Sequence, residues 1–138
     1  MKKTTLAQAY VFRATKRLKA LEVLLHEESY SDVVREAQEV VELALKGLLR
    51  EIGIDPPKQH DVGDLVVEYR DRLVPDVEAQ ADKLAAISKR LRRERELAFY
   101  GDVDFIPTAE YDLDDARRAL DEARSVVEAV RRMVTVPE

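Results

Sequence analysis

The chain has 138 residues and a mass of 15.8 kDa, the size of one domain, and its 23 basic and 28 acidic residues give a net charge of −5. With no cysteine it carries neither disulfides nor thiolate metal sites, and 46% hydrophobic residues are too many for a disordered chain. Four glycines and five prolines speak against a turn-rich β sandwich and against a Gly-rich phosphate loop, and the acidic balance speaks against a basic nucleic-acid coat.

The stretch from Leu6 to Leu25 is interrupted by Arg13, Lys16, Arg17, Lys19 and Glu22. It reads neither as a signal peptide nor as a membrane span, and a cytoplasmic location is the expectation. Leu6, Tyr10, Ala14, Leu18, Leu21 and Leu25 recur at steps of three or four, which predicts a first helix capped by Thr4 or Thr5. A second helix is predicted from about Ser31 to Ile52, with Val34, Ala37, Val41, Ala44, Leu45, Leu48 and Leu49 in a broad stripe. Val33, Val40 and Ile52 widen that stripe, as in a central helix that meets several neighbours. Ser29 or Ser31 is its N-cap and Gly53 its left-handed stop.

Paired prolines make Gly53 to His60 a loop, and Asp61 then caps a short third helix bearing Val62, Leu65, Val66, Tyr69 and Leu73. After Pro75 a fourth helix carries Val77, Ala81, Leu84, Ser88, Leu91, Arg95 and Ala98 on one line. Gly101 to about Thr108 reads as a loop. A fifth helix holds Ala116, Leu120, Ala123, Val127, Val130 and Val134. All-helical elements with short connections predict one domain over residues 1–138, an antiparallel up-and-down bundle of about five helices.

Few residues suit chemistry. Val23 lies three residues before His26 and Pro57 three before His60, so neither forms the Glu-x-x-His pair of a di-iron bundle, and no metal or other cofactor is expected. Without Cys or a Gly-x-Ser-x-Gly elbow, nucleophilic hydrolase machinery has no parts. His26 suits a helix C-terminus, and His60-Asp61 reads as capping chemistry. Glu42 and Lys46 stand four apart in the orientation that supports a helix.

The informative stretch runs from Lys89 to Asp102, where Lys89, Arg90, Arg92, Arg93 and Arg95 form a basic patch in an acidic chain. Arg95 falls on the line turned to the bundle, so its guanidinium needs partners. Asp102 and Asp104 in the following loop are the expected ones, with Glu42 a further candidate. Two readings stay open: a buried Arg–Asp clamp folding the loop onto the bundle, or a polar cleft of Arg95, Tyr100 and Asp102 suited to phosphate. In the second, Tyr100 stacks on a base or donates its hydroxyl.

Three stretches in order resemble the HEPN domain family (higher eukaryotes and prokaryotes nucleotide-binding): Ala37 to Leu49, with Glu42 four before Lys46; Pro56-Pro57-Lys58-Gln59-His60-Asp61-Val62; and Arg95-Glu96-Leu97-Ala98-Phe99-Tyr100-Gly101-Asp102. The resemblance spans about Leu6 to Val134 and implies an up-and-down helical bundle, commonly a homodimer. Many members are RNases, often toxins paired with an MNT-type nucleotidyltransferase, and their motif is Arg followed after four to six residues by His. Here four residues after Arg95 lead to Tyr100, and four after Arg93 lead to Ala98.

In neither register is there an imidazole to serve as general acid or base. The resemblance thus implies a module that binds nucleotide or RNA through Arg93, Arg95, Tyr100, Asp102, Asp104, Glu42 and Lys46, with a nucleotidyltransferase partner of the toxin–antitoxin type. The alternatives are a metal-independent RNase with an atypical Arg95/Tyr100 site and a non-enzymatic dimeric interaction protein. In the Arg93 register Tyr100 also matches a tyrosine that some members have modified with AMP.

Overall fold

The computed structural model describes residues 4–56, 58, 61–99 and 105–136. Helix α1 (Leu6–His26) begins with a capping box: the Thr5 hydroxyl accepts from the Gln8 amide at 3.1 Å, and the Thr5 amide donates to the Gln8 side chain at 3.0 Å. The same Gln8 side chain donates to the Thr135 carbonyl at 2.8 Å and ties the start of α1 to the segment after the last helix. Helix α2 (Tyr30–Glu51) follows after three residues, so the two helices lie antiparallel. Ser29 occupies its N-cap position, but its hydroxyl donates to Asp32 at 2.6 Å rather than accepting a backbone N–H.

Both helices end in Schellman turns. The Gly53 amide donates to the Arg50 carbonyl and that of Ile54 to Leu49, while the Glu28 amide donates to Leu25 and that of Ser29 to Leu24. The residue that must turn left-handed is Gly53 (φ 86°) in one case and Glu28 (φ 62°) in the other. A side chain at such a position is strained, and α1 tolerates it.

The predicted third helix divides. Helix α3 (Val62–Glu68) stops after two turns, a 3₁₀ turn covers Arg70–Arg72, and Leu73 is extended but buried. The predicted fourth helix also breaks, into α4 (Pro75–Glu78) and α5 (Ala81–Phe99), with Ala79 and Gln80 as a turn between them. The apolar line survives the break because Val77, Ala81 and Leu84 are all buried. In the segment predicted as loop, Pro107 opens a single turn, α6 (Pro107–Glu110). Helix α7 (Leu113–Val130) starts with an Asp112–Asp115 capping box, and Val134 lies beyond its end yet is fully buried.

Helix α2 is the centre. It packs on α1, α7, α5 and α3, and its wide apolar face (Val33, Val40, Val41, Ala44, Leu45, Leu48, Leu49) is buried throughout. At Gly47 α2 approaches α1 closely: a Cβ there would stand 2.6 Å from Val11 Cγ2 and 3.1 Å from the Ala7 carbonyl. Every element among the described residues is thus a helix, as the periodicity predicts. No helix among the described residues is long and apolar enough to cross a membrane.

Candidate functional site

The last turns of α5 place the residues that the sequence singles out. Leu84, Ser88, Leu91 and Ala98 lie on one buried line, and Arg95 shares that line by spacing. Its side chain nevertheless reaches the surface, 47% exposed, and its Nη2 pairs with Glu39 Oε1 of α2 at 2.7 Å. The long aliphatic stem lets the cation snorkel out of the interface, so no buried charge needs compensating. Among the described residues the partner is therefore Glu39 rather than Glu42. The Glu42 carboxylate accepts from Gln38 at 3.3 Å and pairs with Lys46 at 3.6 Å along its own helix. Tyr100, Asp102 and Asp104 lie outside the described residues, as does His60.

The basic run divides among several neighbours. Arg90 makes a forked contact with Glu122 of α7, at 2.6 and 3.3 Å, and Glu122 also accepts from Arg118. Arg92 approaches Asp61 at 3.5 Å, the residue whose carboxylate caps α3 by accepting from the Gly63 amide at 2.9 Å. Lys89 faces Asp64 at 3.8 Å. These pairs tie α5 to its neighbours and cancel most of the local positive field, since each cation has a carboxylate within a few ångströms. Arg93 is exposed and has no ion-pair partner among the described residues.

Two features escaped the sequence reading. The Tyr111 hydroxyl, in the turn before α7, donates to Glu94 of α5 at 2.6 Å, and the Phe105 ring meets Tyr111 edge-on at 5.7 Å. Burial raises the phenol's pKa well above its ordinary 10, and the hydrogen bond to Glu94 raises it further. Tyr111 is therefore a neutral donor at physiological pH and no base. Next to Glu39, the buried Gln38 has an Oε1 without a hydrogen-bond partner. The only sequence signal for it is a polar residue inside the apolar stripe of α2.

Chemically, the corner formed by Arg95 and Glu39 can hold an anion. A guanidinium has five N–H donors, and among the described residues Arg95 has one carboxylate partner, Glu39, so donors remain for a phosphate. Among the described residues no group of three or more His, Asp or Glu is placed to hold a metal ion. A separate open cleft of about 320 Å³ lies between α1 and α2, lined by Arg17, Ala20, Leu24, Asp32, Arg35 and Glu36. There the Glu36 carboxylate takes both Arg17 (3.4 Å) and Arg35 (2.5 Å).

Comparison with known proteins gives two matches of different kinds. The family described as HEPN domain matches residues 7–133. The crystal structure of TT1696 from Thermus thermophilus superposes with a TM-score of 0.77 at 23% identity, covering 95% of this chain and 100% of that one, a likeness of fold. No curated protein matches the sequence significantly.

Proposed function

This chain belongs to the HEPN domain family, and from that membership and the open guanidinium of Arg95 we propose that it is a small module binding nucleotide or RNA at the end of α5. The observation that carries the reading is the Arg95–Glu39 pair. The cation stands on an otherwise buried line of α5, yet is half-exposed and held in place by a carboxylate of the central helix. A half-exposed pair of this kind contributes little to stability, at most about 1 kcal/mol. A ligand can therefore engage Arg95 at little cost to the fold.

In this reading Arg95 grips a phosphate, Arg93, without an ion-pair partner among the described residues, adds positive charge to the same end of α5, and Tyr100 and Asp102 in the adjoining segment complete the contacts to base or sugar. Glu42 and Lys46 keep α2 charged along the same flank. The module works as a homodimer in the cytoplasm with a nucleotidyltransferase partner, as in toxin–antitoxin pairs of the family. Because neither Arg register leads to a histidine, binding rather than RNA cleavage is the proposed role.

The test is equilibrium binding of ATP and of a short RNA to wild type and Arg95→Ala, with far-ultraviolet circular dichroism as the control for folding. Losing the two or three charge-assisted hydrogen bonds of one guanidinium weakens binding by about 2–4 kcal/mol. Equal affinities of the two proteins would refute the assignment. Cleavage of RNA by metal-free wild type but not by Arg95→Ala would replace it with the nuclease reading.

A further inference from the structure

A second concentration of positive charge lies on α1, on another surface of the bundle: Arg13, Lys16, Arg17 and Lys19, of which only Arg17 has an ion-pair partner among the described residues, Glu36. Residues 1–21 contain six basic side chains and no acidic one, whereas the remaining 117 carry 17 basic and 28 acidic. Helix α1 packs on α2 and α7, while α5 packs on α2 and α3. On α1 the side chains of Arg13, Lys16 and Lys19 are exposed and have no ion-pair partner among the described residues. Lys89, Arg90, Arg92 and Arg95, by contrast, each face a carboxylate.

The α1 cations also stand at steps of three and four from one another: Arg13 and Lys16, Lys16 and Lys19, Arg13 and Arg17. Like charges at these spacings repel and destabilise a helix. The mutual repulsion of these cations is a cost to the helix, offset within α1 by the contact of Lys16 with the Phe12 ring.

An aromatic ring stands in the same row. Phe12 is 42% exposed, with the Lys16 ammonium 5.2 Å from its ring centroid. At 3.6 residues per turn, Phe12, Lys16, Lys19 and Val23 fall on one narrow strip, and from Phe12 to Val23 that strip is about 16 Å long.

We propose that this outer face of α1 binds single-stranded nucleic acid, with Lys16 and Lys19 on phosphates along the strip, Arg13 on a further phosphate at its flank, and Phe12 stacking against a base. The strip combines the two elements such ligands need, a track of cations and an exposed ring. An anionic membrane fits less well. The exposed Phe12 and Val23 stand at opposite ends of the strip with two lysines between them, so they offer no continuous apolar area to insert. An acidic protein partner fits less well too, because a stable protein interface needs an apolar centre that this strip lacks.

The proposal is independent of Arg95, and the test keeps the two apart. Fluorescence anisotropy is measured with labelled single-stranded RNA and DNA 12-mers of mixed pyrimidine sequence, from about 50 to 200 mM KCl. Three phosphate contacts give a slope of log affinity against log salt of about −2. The triple variant Arg13→Gln, Lys16→Gln, Lys19→Gln is expected to flatten that slope and to lose about tenfold or more in affinity at the lowest salt. Phe12→Ala is expected to lose about tenfold with the slope unchanged, because stacking releases no counterions.

Arg95→Ala should leave the slope due to α1 in place. Binding by the triple variant equal to wild type overturns the proposal, whatever Arg95→Ala does. Absence of oligonucleotide binding overturns it as well. Sedimentation with phosphatidylserine vesicles that depends on Lys16 and Lys19, without oligonucleotide binding, would assign the strip to a membrane surface instead.

Discussion

Replacing Gly47 with alanine sets helix propensity against packing, and the structure says which wins. In an exposed helix interior, Gly→Ala stabilises by about 1 kcal/mol. At Gly47 the new Cβ would lie 2.6 Å from Val11 Cγ2 and 3.1 Å from the backbone oxygen of Ala7. Val11 is fully buried and β-branched, so it has no alternative rotamer to retreat into, and the carbonyl cannot yield without moving α1. Overpacking of a tight core costs about 1–3 kcal/mol, and contact with a stiff side chain and a backbone atom together places this case at the upper end. Gly47→Ala is therefore expected to destabilise by about 2 kcal/mol net.

For a chain of this size that lowers the midpoint of thermal unfolding by about 8 °C. Circular dichroism at 222 nm during heating and in urea measures both quantities. The cause is checked by a double-mutant cycle with Val11→Ala. Alone, that substitution costs about 2 kcal/mol for the lost buried methyls. In the Gly47→Ala background it should cost about 1 kcal/mol less, because the space it opens receives the new methyl. A Gly47→Ala protein as stable as wild type, or strict additivity of the two substitutions, would refute the close-approach argument.

Glu28→Gly is expected to stabilise by about 0.5–1 kcal/mol, since glycine removes the left-handed strain at the end of α1 while adding some unfolded-state entropy; urea midpoints at constant m-value measure it. Tyr111 keeps its proton in the folded state at a pH where the unfolded chain has lost it, so the unfolded state binds fewer protons above pH 10 and stability falls there as pH rises. Tyr111→Phe should reduce that alkaline loss, and in an absorbance titration at 295 nm one fewer tyrosine should remain un-ionised beyond the ordinary range. If Tyr111→Phe leaves both the alkaline stability profile and the number of late-titrating tyrosines unchanged, the Glu94 contact does not control this phenol.

What was legible in the sequence was local or periodic. The apolar steps located the helices and made α2 central, because a stripe wider than one partner can cover is a property of the residues themselves. Gly53 announced a left-handed stop. Glu28 did not, since glutamate has no special fitness for that conformation, and only the closing hydrogen bonds to Leu24 and Leu25 impose it. The break at Ala79–Gln80 was hidden for a similar reason: Val77, Ala81 and Leu84 keep the apolar step on both sides of the turn.

At the candidate site the division is sharper. Composition and spacing placed the basic run at the end of α5, and put Arg95 on the line with Leu91 and Ala98. Its carboxylate partner was beyond reach of that reasoning, because Glu39 and Glu42 stand three residues apart on one helix, and which of them meets α5 depends on how the two helices are rotated and shifted against each other. The Tyr111–Glu94 contact likewise joins residues on either side of a chain reversal. Sequence alone determined which residues carry charge and which faces are apolar, including a net charge of −5 that conceals an N-terminal stretch free of acid. Tertiary structure decided which of those charges are cancelled, because Coulomb attraction acts over a few ångströms of space, and packing alone sets those distances.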